Sequence, residues 1–72
     1  MEEIKIRTES IQLDQLLKWA GAAATGGEAK YLIQNGQVSV NGNVELRRST
    51  RVQPGDVVEI AGQGKFVVGR EA

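Results

Sequence analysis

The 72-residue sequence contains no cysteine and no histidine. Without cysteine, the fold cannot rely on disulfide bonds or on thiolate-bound metal. Without histidine, the chain lacks the commonest general base and the commonest metal ligand of proteins. Ser10, Ser39 and Ser49 therefore have no imidazole to activate them, and neither glycine-rich segment matches the phosphate-binding loop pattern. The composition argues against an enzyme, and we expect no catalytic residue, no metal and no cofactor.

Aromatic residues and long apolar runs are also scarce. The chain has one Phe, one Tyr and one Trp, so aliphatic side chains must form its core. No apolar run approaches the roughly 20 residues needed to cross a bilayer. The acidic N-terminal segment lacks the apolar region of a signal peptide. We expect a cytoplasmic protein in which residues 1–72 form one small domain with a marginal core.

The charges balance to a net charge of zero but are unevenly distributed along the chain. Residues 30–51 carry a net charge of +3, whereas residues 1–29 and 52–72 carry −2 and −1. A neutral molecule has no strong overall attraction for nucleic acid, so any such attraction must come from the basic middle third. Fluctuation of this size also occurs on ordinary charged surfaces, and that alternative stays open.

Apolar spacing predicts two short helices in the first half of the chain. The first would run from about Leu13 to Ala20, and Gly21 would end it because glycine accepts the left-handed conformation. Four apolar residues at positions i, i+3, i+4 and i+7 would form its buried face: Leu13, Leu16, Leu17 and Ala20. Residues 25–28 fit a capping box in which Thr25 and Glu28 bind each other's amides. The second helix would bury Ala29, Leu32 and Ile33, end at Asn35-Gly36, and pack on the first.

Alternating side chains predict strands in the rest of the chain. Ile4 and Ile6 alternate with charged residues, which indicates a short half-buried strand. Asn41-Gly42 is typical of a tight hairpin turn, and the alternation continues through Val44 and Leu46. Later segments predict a turn, a strand, a hairpin loop and a last strand: Pro54-Gly55-Asp56, Val57 to Ile60, Gly62 to Gly64, and Phe66 to Val68. The predicted class is α+β, with a two-helix hairpin packed on a small, twisted, mostly antiparallel sheet.

Arg47, Arg48 and Arg51 follow the predicted Val44–Leu46 strand and form a compact cationic cluster. Guanidinium groups so close together can hold phosphates in a forked geometry. The alternative is a solubilising edge that prevents pairing between sheets. Lys30 would lie at the flank of the helical hairpin, as a phosphate contact or as an ordinary solvated lysine. We expect these cations to converge beside the opening of the second helix.

Trp19 and Tyr31 are candidates for stacking on unpaired bases. Trp19 lies beside the apolar face of its helix, and packing against the 21–25 linker is the favoured interpretation. Tyr31 lies on the far side of its helix from the buried residues, so it is the better stacking candidate of the two.

The order and spacing of these motifs resemble the S4 family of RNA-binding domains over roughly residues 11–60. The matching segments are Leu13-Asp14, Thr25, Ala29-Lys30, Leu32-Ile33, Gly36 to Gly42 and Gly55-Asp56. The whole chain is similar to small standalone bacterial S4-domain proteins of the YaaA/YbcJ type. This resemblance implies an S4-like (alpha-L) fold and a non-catalytic monomer. It also implies binding of structured RNA, ribosomal RNA or its precursors, in ribosome biogenesis.

The predicted RNA-binding residues combine the cationic and polar candidates with the positions that the resemblance implies. They are Gln12, Thr25, Gly26, Lys30, Gln37, Asn41, Arg47, Arg48 and Arg51. The four cations would contact phosphates, and the others would add polar contacts. Gln12 and Gly26 occupy positions where the family often has arginine, which weakens the grip at both helix starts. The alternative is a protein-interaction module on an S4 fold whose RNA surface has decayed, acting in ribosome assembly.

Overall fold

The computed structural model describes residues 1–71, which fold into two short helices and seven strands. In chain order the elements are β1 (Glu2–Ile6), β2 (Ile11–Gln12), α1 (Leu13–Trp19), α2 (Gly26–Gln34), β3 (Val38–Val40), β4 (Asn43–Val44), β5 (Arg51–Val52), β6 (Val57–Ile60) and β7 (Gly64–Arg70). The predicted α+β class is confirmed, and both helices lie where the apolar spacing places them.

The strands form two sheets. The larger is a five-stranded mixed sheet in the order β1-β7-β6-β3-β4, and the smaller is the antiparallel pair of β2 and β5. Within the larger sheet β1 runs parallel to β7, beginning with Glu2 opposite Phe66, and the other neighbours are antiparallel. The mostly antiparallel sheet is therefore confirmed. The parallel pair was not predicted, because no local turn joins strands so far apart in the chain.

The core lies between the helical hairpin and the sheet and is almost entirely aliphatic. Leu13, Leu16 and Leu17 of α1 and Ala29 and Ile33 of α2 are fully buried, as the helical spacing predicts. The strands and one loop add Ile6, Ala23, Val38, Val52, Val58, Ile60, Phe66 and Val68. Each fully buried aliphatic side chain contributes about 1.5–3 kcal/mol, so a few of them account for much of the stability. Neither helix within residues 1–71 has the length and apolar character that crossing a membrane requires.

Both helices end in the same hydrogen-bonded motif. Gly21 follows α1 with φ +77°, and the next amide donates to the Leu17 carbonyl at 2.9 Å. Gly36 follows α2 with φ +74°, and the Gln37 amide donates to the Leu32 carbonyl at 3.1 Å. This pattern is a Schellman motif, which requires a left-handed residue that glycine adopts without steric cost. Both predicted helix ends are confirmed.

Two local predictions need correction. Thr25 caps α2 by accepting from the Glu28 amide at 3.1 Å, but the Glu28 carboxylate accepts from the Ala24 amide at 3.2 Å, not from that of Thr25. The strand after the Asn41-Gly42 turn ends at Val44, and Val44 and Leu46 are both more than half exposed, at 58% and 56%. The Glu45 amide still donates to the Val38 carbonyl of β3 at 3.0 Å, and beyond it the chain turns, with the Glu45 carboxylate accepting from the Arg47 amide.

Candidate nucleic-acid interface

Residues 45–51, here called the basic loop, run from the end of β4 into β5 and carry all three clustered arginines. Two backbone hydrogen bonds attach this loop to the start of α1. The Leu13 amide donates to the Thr50 carbonyl at 2.8 Å, and the Asp14 amide donates to the Arg48 carbonyl at 3.2 Å. A helix leaves its first four amides without intrahelical acceptors, and the basic loop supplies acceptors for two of them. The opening of α1 therefore fixes the position of the loop.

Glu45 folds the basic loop upon itself. Its carboxylate accepts from the Arg47 amide at 3.1 Å, and the Thr50 amide donates to the Arg47 carbonyl at 3.3 Å. The hydrogen bond from the Arg47 amide is the main cause that lowers the pKa of Glu45 below its ordinary value, and Thr50 and the Arg47 charge add to it. The carboxylate is therefore ionised at neutral pH and holds the loop in its bend.

The second sheet joins the basic loop to the segment before α1. Gln12 lies directly opposite Arg51 in the β2–β5 pair. The Arg51 guanidinium donates from Nε to the Ser10 hydroxyl at 2.8 Å and from Nη2 to the Ser10 carbonyl at 3.2 Å. An arginine has five N–H donors, so these bonds fix the direction of the side chain and leave three donors free.

The predicted cations are available to a ligand. Lys30, Arg47, Arg48 and Arg51 are all exposed. Within residues 1–71 one ion pair forms, between Arg7 and Glu71 at 3.4 Å, so none of those four side chains is paired with a carboxylate there. The contacts attach the basic loop to the opening of α1. Its predicted proximity to the opening of α2 and to Lys30 stays a prediction.

The start of α2 combines a side-chain cap with open space. Thr25 occupies the cap position and Gly26 is the first helical residue. Across residues 1–71 the amides of Gly26 and Gly27 have no protein acceptor, as expected for the first turn of a helix. A Cβ added at Gly26 would meet nothing within 4 Å. A side chain at this position would therefore project freely from the helix opening.

Asn41 has structural partners for most of its polar atoms. It adopts φ +52° in the hairpin turn, and its Nδ2 donates to an Asp56 carboxylate oxygen at 3.1 Å. Its Oδ1 accepts from the Val57 amide at 2.9 Å. The side chain thus fastens the β3–β4 turn to β6, and one amide proton is left for the predicted RNA contact. Gln37 is half-buried beside this strand pair, and its carbonyl accepts from the Ala61 amide at 2.8 Å.

The two exposed aromatic side chains lie in different surroundings. Tyr31 is 60% exposed on α2, which agrees with its predicted position on the far side of the helix. Trp19 is 52% exposed, and its Nε1 donates to the Lys5 carbonyl at 2.7 Å. The indole therefore contacts β1, which was not predicted, and its packing against the 21–25 linker stays a prediction. The indole N–H finds its acceptor on the strand, because β1 passes beside the end of α1.

Sequence reasoning missed the residues that organise the arginines. Ser10 was considered only as a nucleophile and Thr50 was not considered, although each forms a bond that positions the basic loop. The partners in the Ser10–Arg51 contact are 41 positions apart in the chain. The only signal in the sequence is that Ile11 and Val52, which pair in the second sheet, are apolar residues in otherwise polar segments. Strands of two residues give no alternating pattern to detect.

Comparison with known proteins assigns this arrangement to a family. The family model described as "S4 domain" matches residues 4–68. "Probable ribosome maturation protein RlbA" of Bacillus subtilis (strain 168) is 45% identical over 65 residues, which are 90% of this chain and 92% of that protein. "Putative RNA-binding protein YbcJ" of Escherichia coli (strain K12) is 40% identical over 58 residues, 81% of this chain and 83% of that one.

A solved structure has the same fold. The crystal structure of the 30S ribosomal protein S4e from Thermoplasma acidophilum superposes with a TM-score of 0.58 and 27% sequence identity. The match covers 78% of this chain but 30% of that protein, so the likeness concerns one domain of a longer chain. The family model covers nearly the whole sequence, and two relatives match over most of their own length. The chain therefore belongs to the S4 domain family.

Proposed function

We propose that residues 1–72 act as one non-catalytic, monomeric RNA-binding domain in the cytoplasm. The observation that carries this proposal is the basic loop, whose carbonyls accept from the first amides of α1 while its arginine side chains stay exposed. The proposed RNA is structured ribosomal RNA or its precursors. This choice is supported by relatives named for ribosome maturation and RNA binding, and by the fold shared with a 30S ribosomal protein.

In this proposal the exposed cations contact phosphates. Arg47 and Arg48 offer whole guanidinium forks, Arg51 offers the donors that Ser10 does not use, and Lys30 adds a point charge. The remaining predicted residues, Gln12, Thr25, Gly26, Gln37 and Asn41, would set orientation. A fixed loop beside a helical hairpin reads the shape of the RNA rather than its sequence, so a stem-loop or duplex is the expected target.

Crosslinking in living cells, followed by sequencing of the attached RNA, tests this function directly. We expect ribosomal RNA or its precursor to dominate the recovered fragments, clustered at a few structured sites. The matched control is the variant in which Arg47 and Arg48 are replaced by glutamate. This variant should keep the fold and lose the crosslinks. Recovery of no RNA above this control would refute the proposed function.

A second candidate is a protein-interaction module in ribosome assembly. It is favoured by the glutamine and glycine at the two helix starts, Gln12 and Gly26. It is also favoured by two exposed apolar side chains, Val44 beside the basic loop and Leu46 within it. A ribosomal or maturation protein could cover such an apolar pair. If this candidate is correct, the purified chain binds a ribosome-assembly intermediate equally well before and after Arg47 and Arg48 are replaced by glutamate.

Replacing Gly26 by arginine should strengthen RNA binding by about tenfold to a hundredfold, because it adds one charge-assisted phosphate contact. The side chain has room, and the backbone there is not in the left-handed region. Placing a cation at a helix N-terminus costs about 0.3–1 kcal/mol, which the higher helix propensity of arginine over glycine largely offsets. The measurement is the dissociation constant for a hairpin RNA at fixed salt.

The control for this gain is Gly27→Arg. It introduces the same charge one residue later, about 100° round the helix, so it changes the net charge equally but points elsewhere. If the two variants strengthened binding to the same extent, the gain would reflect overall charge, and the opening of α2 would not be part of the interface.

A further inference from the structure

An apolar cleft lies at the end of β1, on a part of the surface that the proposed phosphate contacts do not use. We call it the Trp19 cleft, and it is lined by Ile6, Arg7, Thr8, Ile11 and Trp19. Its volume is about 170 Å³ and its walls are almost wholly apolar. An apolar cavity of about 150 Å³ accommodates benzene, so the Trp19 cleft suits one aromatic ring and is too small for a helix.

Trp19 forms a fixed wall of this cleft. Trp19 is 52% exposed, although it is the largest apolar side chain of a protein that has only three aromatic residues for its core. The hydrogen bond from Nε1 to the Lys5 carbonyl, at 2.7 Å, satisfies the polar edge of the indole and fixes the orientation of the ring. A ligand that stacks on this ring therefore does not have to order it first.

The cleft is continuous with the basic loop through a single residue. The Thr8 hydroxyl, on the wall of the cleft, donates to the Ser10 carbonyl at 2.7 Å. The same carbonyl accepts from Nη2 of Arg51 at 3.2 Å. Ile11, another wall residue, lies opposite Val52, the residue after Arg51. A strand of RNA held by the basic loop would therefore reach the Trp19 cleft without leaving the surface.

The charges around the cleft fit an anionic strand that carries an aromatic ring. Arg7 lies over the Trp19 ring with its guanidinium carbon 5.8 Å from the ring centre, and Lys18 precedes Trp19 on the exposed side of α1. Glu9 is a nearby exposed acid, and Glu71 pairs with Arg7 at 3.4 Å. The side chains of that pair are 74% and 48% exposed, so the pair contributes little and releases Arg7 readily.

We infer that the Trp19 cleft binds one unpaired nucleobase of the RNA whose phosphates the basic loop holds, with the base stacked on Trp19 and Arg7 moving to the adjoining phosphate. This inference rests on the proposed function and extends it from a shape-reading contact to a junction between paired and unpaired RNA. The base enters an apolar slot with a π-surface, so the site accepts any of the four bases.

The test uses the only tryptophan of the chain as its own probe. The full chain is titrated with a blunt-ended RNA hairpin and with the same hairpin carrying a short single-stranded adenine tail. We expect the tailed hairpin to quench Trp19 emission and to bind more tightly than the blunt one. Trp19→Ala should weaken binding of the tailed hairpin by about fivefold to a hundredfold, the range measured for loss of one base stack. Binding of the blunt hairpin should not change.

Trp19→Phe is the conservative variant, because it keeps an aromatic face and loses the N–H bond to Lys5. It should retain most of the affinity for the tailed hairpin. Unchanged emission when both hairpins bind, or equal weakening of both hairpins by Trp19→Ala, would overturn the inference and leave the proposed function standing. If neither hairpin bound at low salt, the proposed function itself would fail, and the inference with it.

Discussion

Replacing Arg47 and Arg48 together by glutamate is expected to lower RNA affinity by about a hundredfold to ten-thousandfold, because two charge-assisted hydrogen bonds of roughly 1.5–3 kcal/mol each are lost. Repulsion between the new carboxylates and the phosphates acts in the same direction. The fold should persist, since both side chains are exposed and, within residues 1–71, neither guanidinium has a hydrogen-bond partner. Their backbone groups, which attach the loop to α1, are unchanged by the substitution.

Salt dependence gives this prediction a second readout. About four phosphate contacts give the unmodified chain a slope of roughly −3 to −4 in a plot of log affinity against log salt. Removing two contacts should reduce the slope to about −1 to −2. A slope near zero for the unmodified chain would contradict the phosphate contacts altogether.

The matched control reverses two cations outside the basic loop, Lys65 and Arg70, both exposed on β7. This variant has the same change in net charge as the arginine variant, so any difference between the two reports location. We expect its affinity for a blunt RNA hairpin, which does not occupy the Trp19 cleft beside Arg70, to fall by less than about tenfold, because neither side chain is among the proposed phosphate contacts. Equal losses from the two double variants would mean that the attraction belongs to the whole surface.

The parts of the fold that could be predicted are those that short stretches of sequence determine. The stripe of Leu13, Leu16 and Leu17 follows from helical period alone, and it is completely buried. The Asn41-Gly42 turn and the glycine after each helix follow from backbone conformations that few residues adopt, and all have positive φ. These features depend on neighbours only a few positions away, so a single sequence contains the information.

The residues of the candidate site could be predicted from the sequence, but their geometry could not. The arginine-rich segment is visible in the sequence, whereas the contacts that orient it join residues far apart in the chain. Thr50 and Arg48 offer backbone carbonyls to α1, and a carbonyl has no sequence signature. Arg51 and Asn41 were given the same predicted role as the neighbouring candidates, yet Ser10 takes two of the five Arg51 donors, and Asp56 and β6 take most of the polar atoms of Asn41. Only packing in three dimensions separates polar groups that serve the fold from those that remain free.

The opening of α1 serves both the core and the candidate site. Its first residue, Leu13, anchors the helix in the core with a fully buried side chain, and its amide binds the Thr50 carbonyl at 2.8 Å. Core packing and one of the two backbone bonds that attach the basic loop to α1 therefore involve the same residue. A substitution that weakens the small core would therefore disrupt the basic loop even when the side chains of the loop are unchanged.

Leu13→Ala is accordingly expected to destabilise the chain by about 2–5 kcal/mol, through lost burial and the cavity left behind. At roughly 0.05–0.15 kcal/mol per residue, a domain of this size has about 4–11 kcal/mol in all, so the loss is a large fraction. The melting temperature should fall on the order of 10–30 °C, measured by thermal unfolding with circular dichroism. The substitution leaves the backbone amide at this position able to bind the loop, so the effect isolates packing from the backbone contact.

Leu46→Ala is the matched control, because it removes the same atoms from a side chain that is 56% exposed within the basic loop. Its stability should change by less than about 0.5 kcal/mol. Comparable melting temperatures for the two variants would show that the core does not depend on the opening of α1.

If Leu13→Ala weakened RNA binding only in proportion to the unfolded fraction, the folded molecules would retain the interface intact. A larger loss would mean that the core at this helix start also sets the geometry of the arginines, which is the link that the Leu13–Thr50 bond implies.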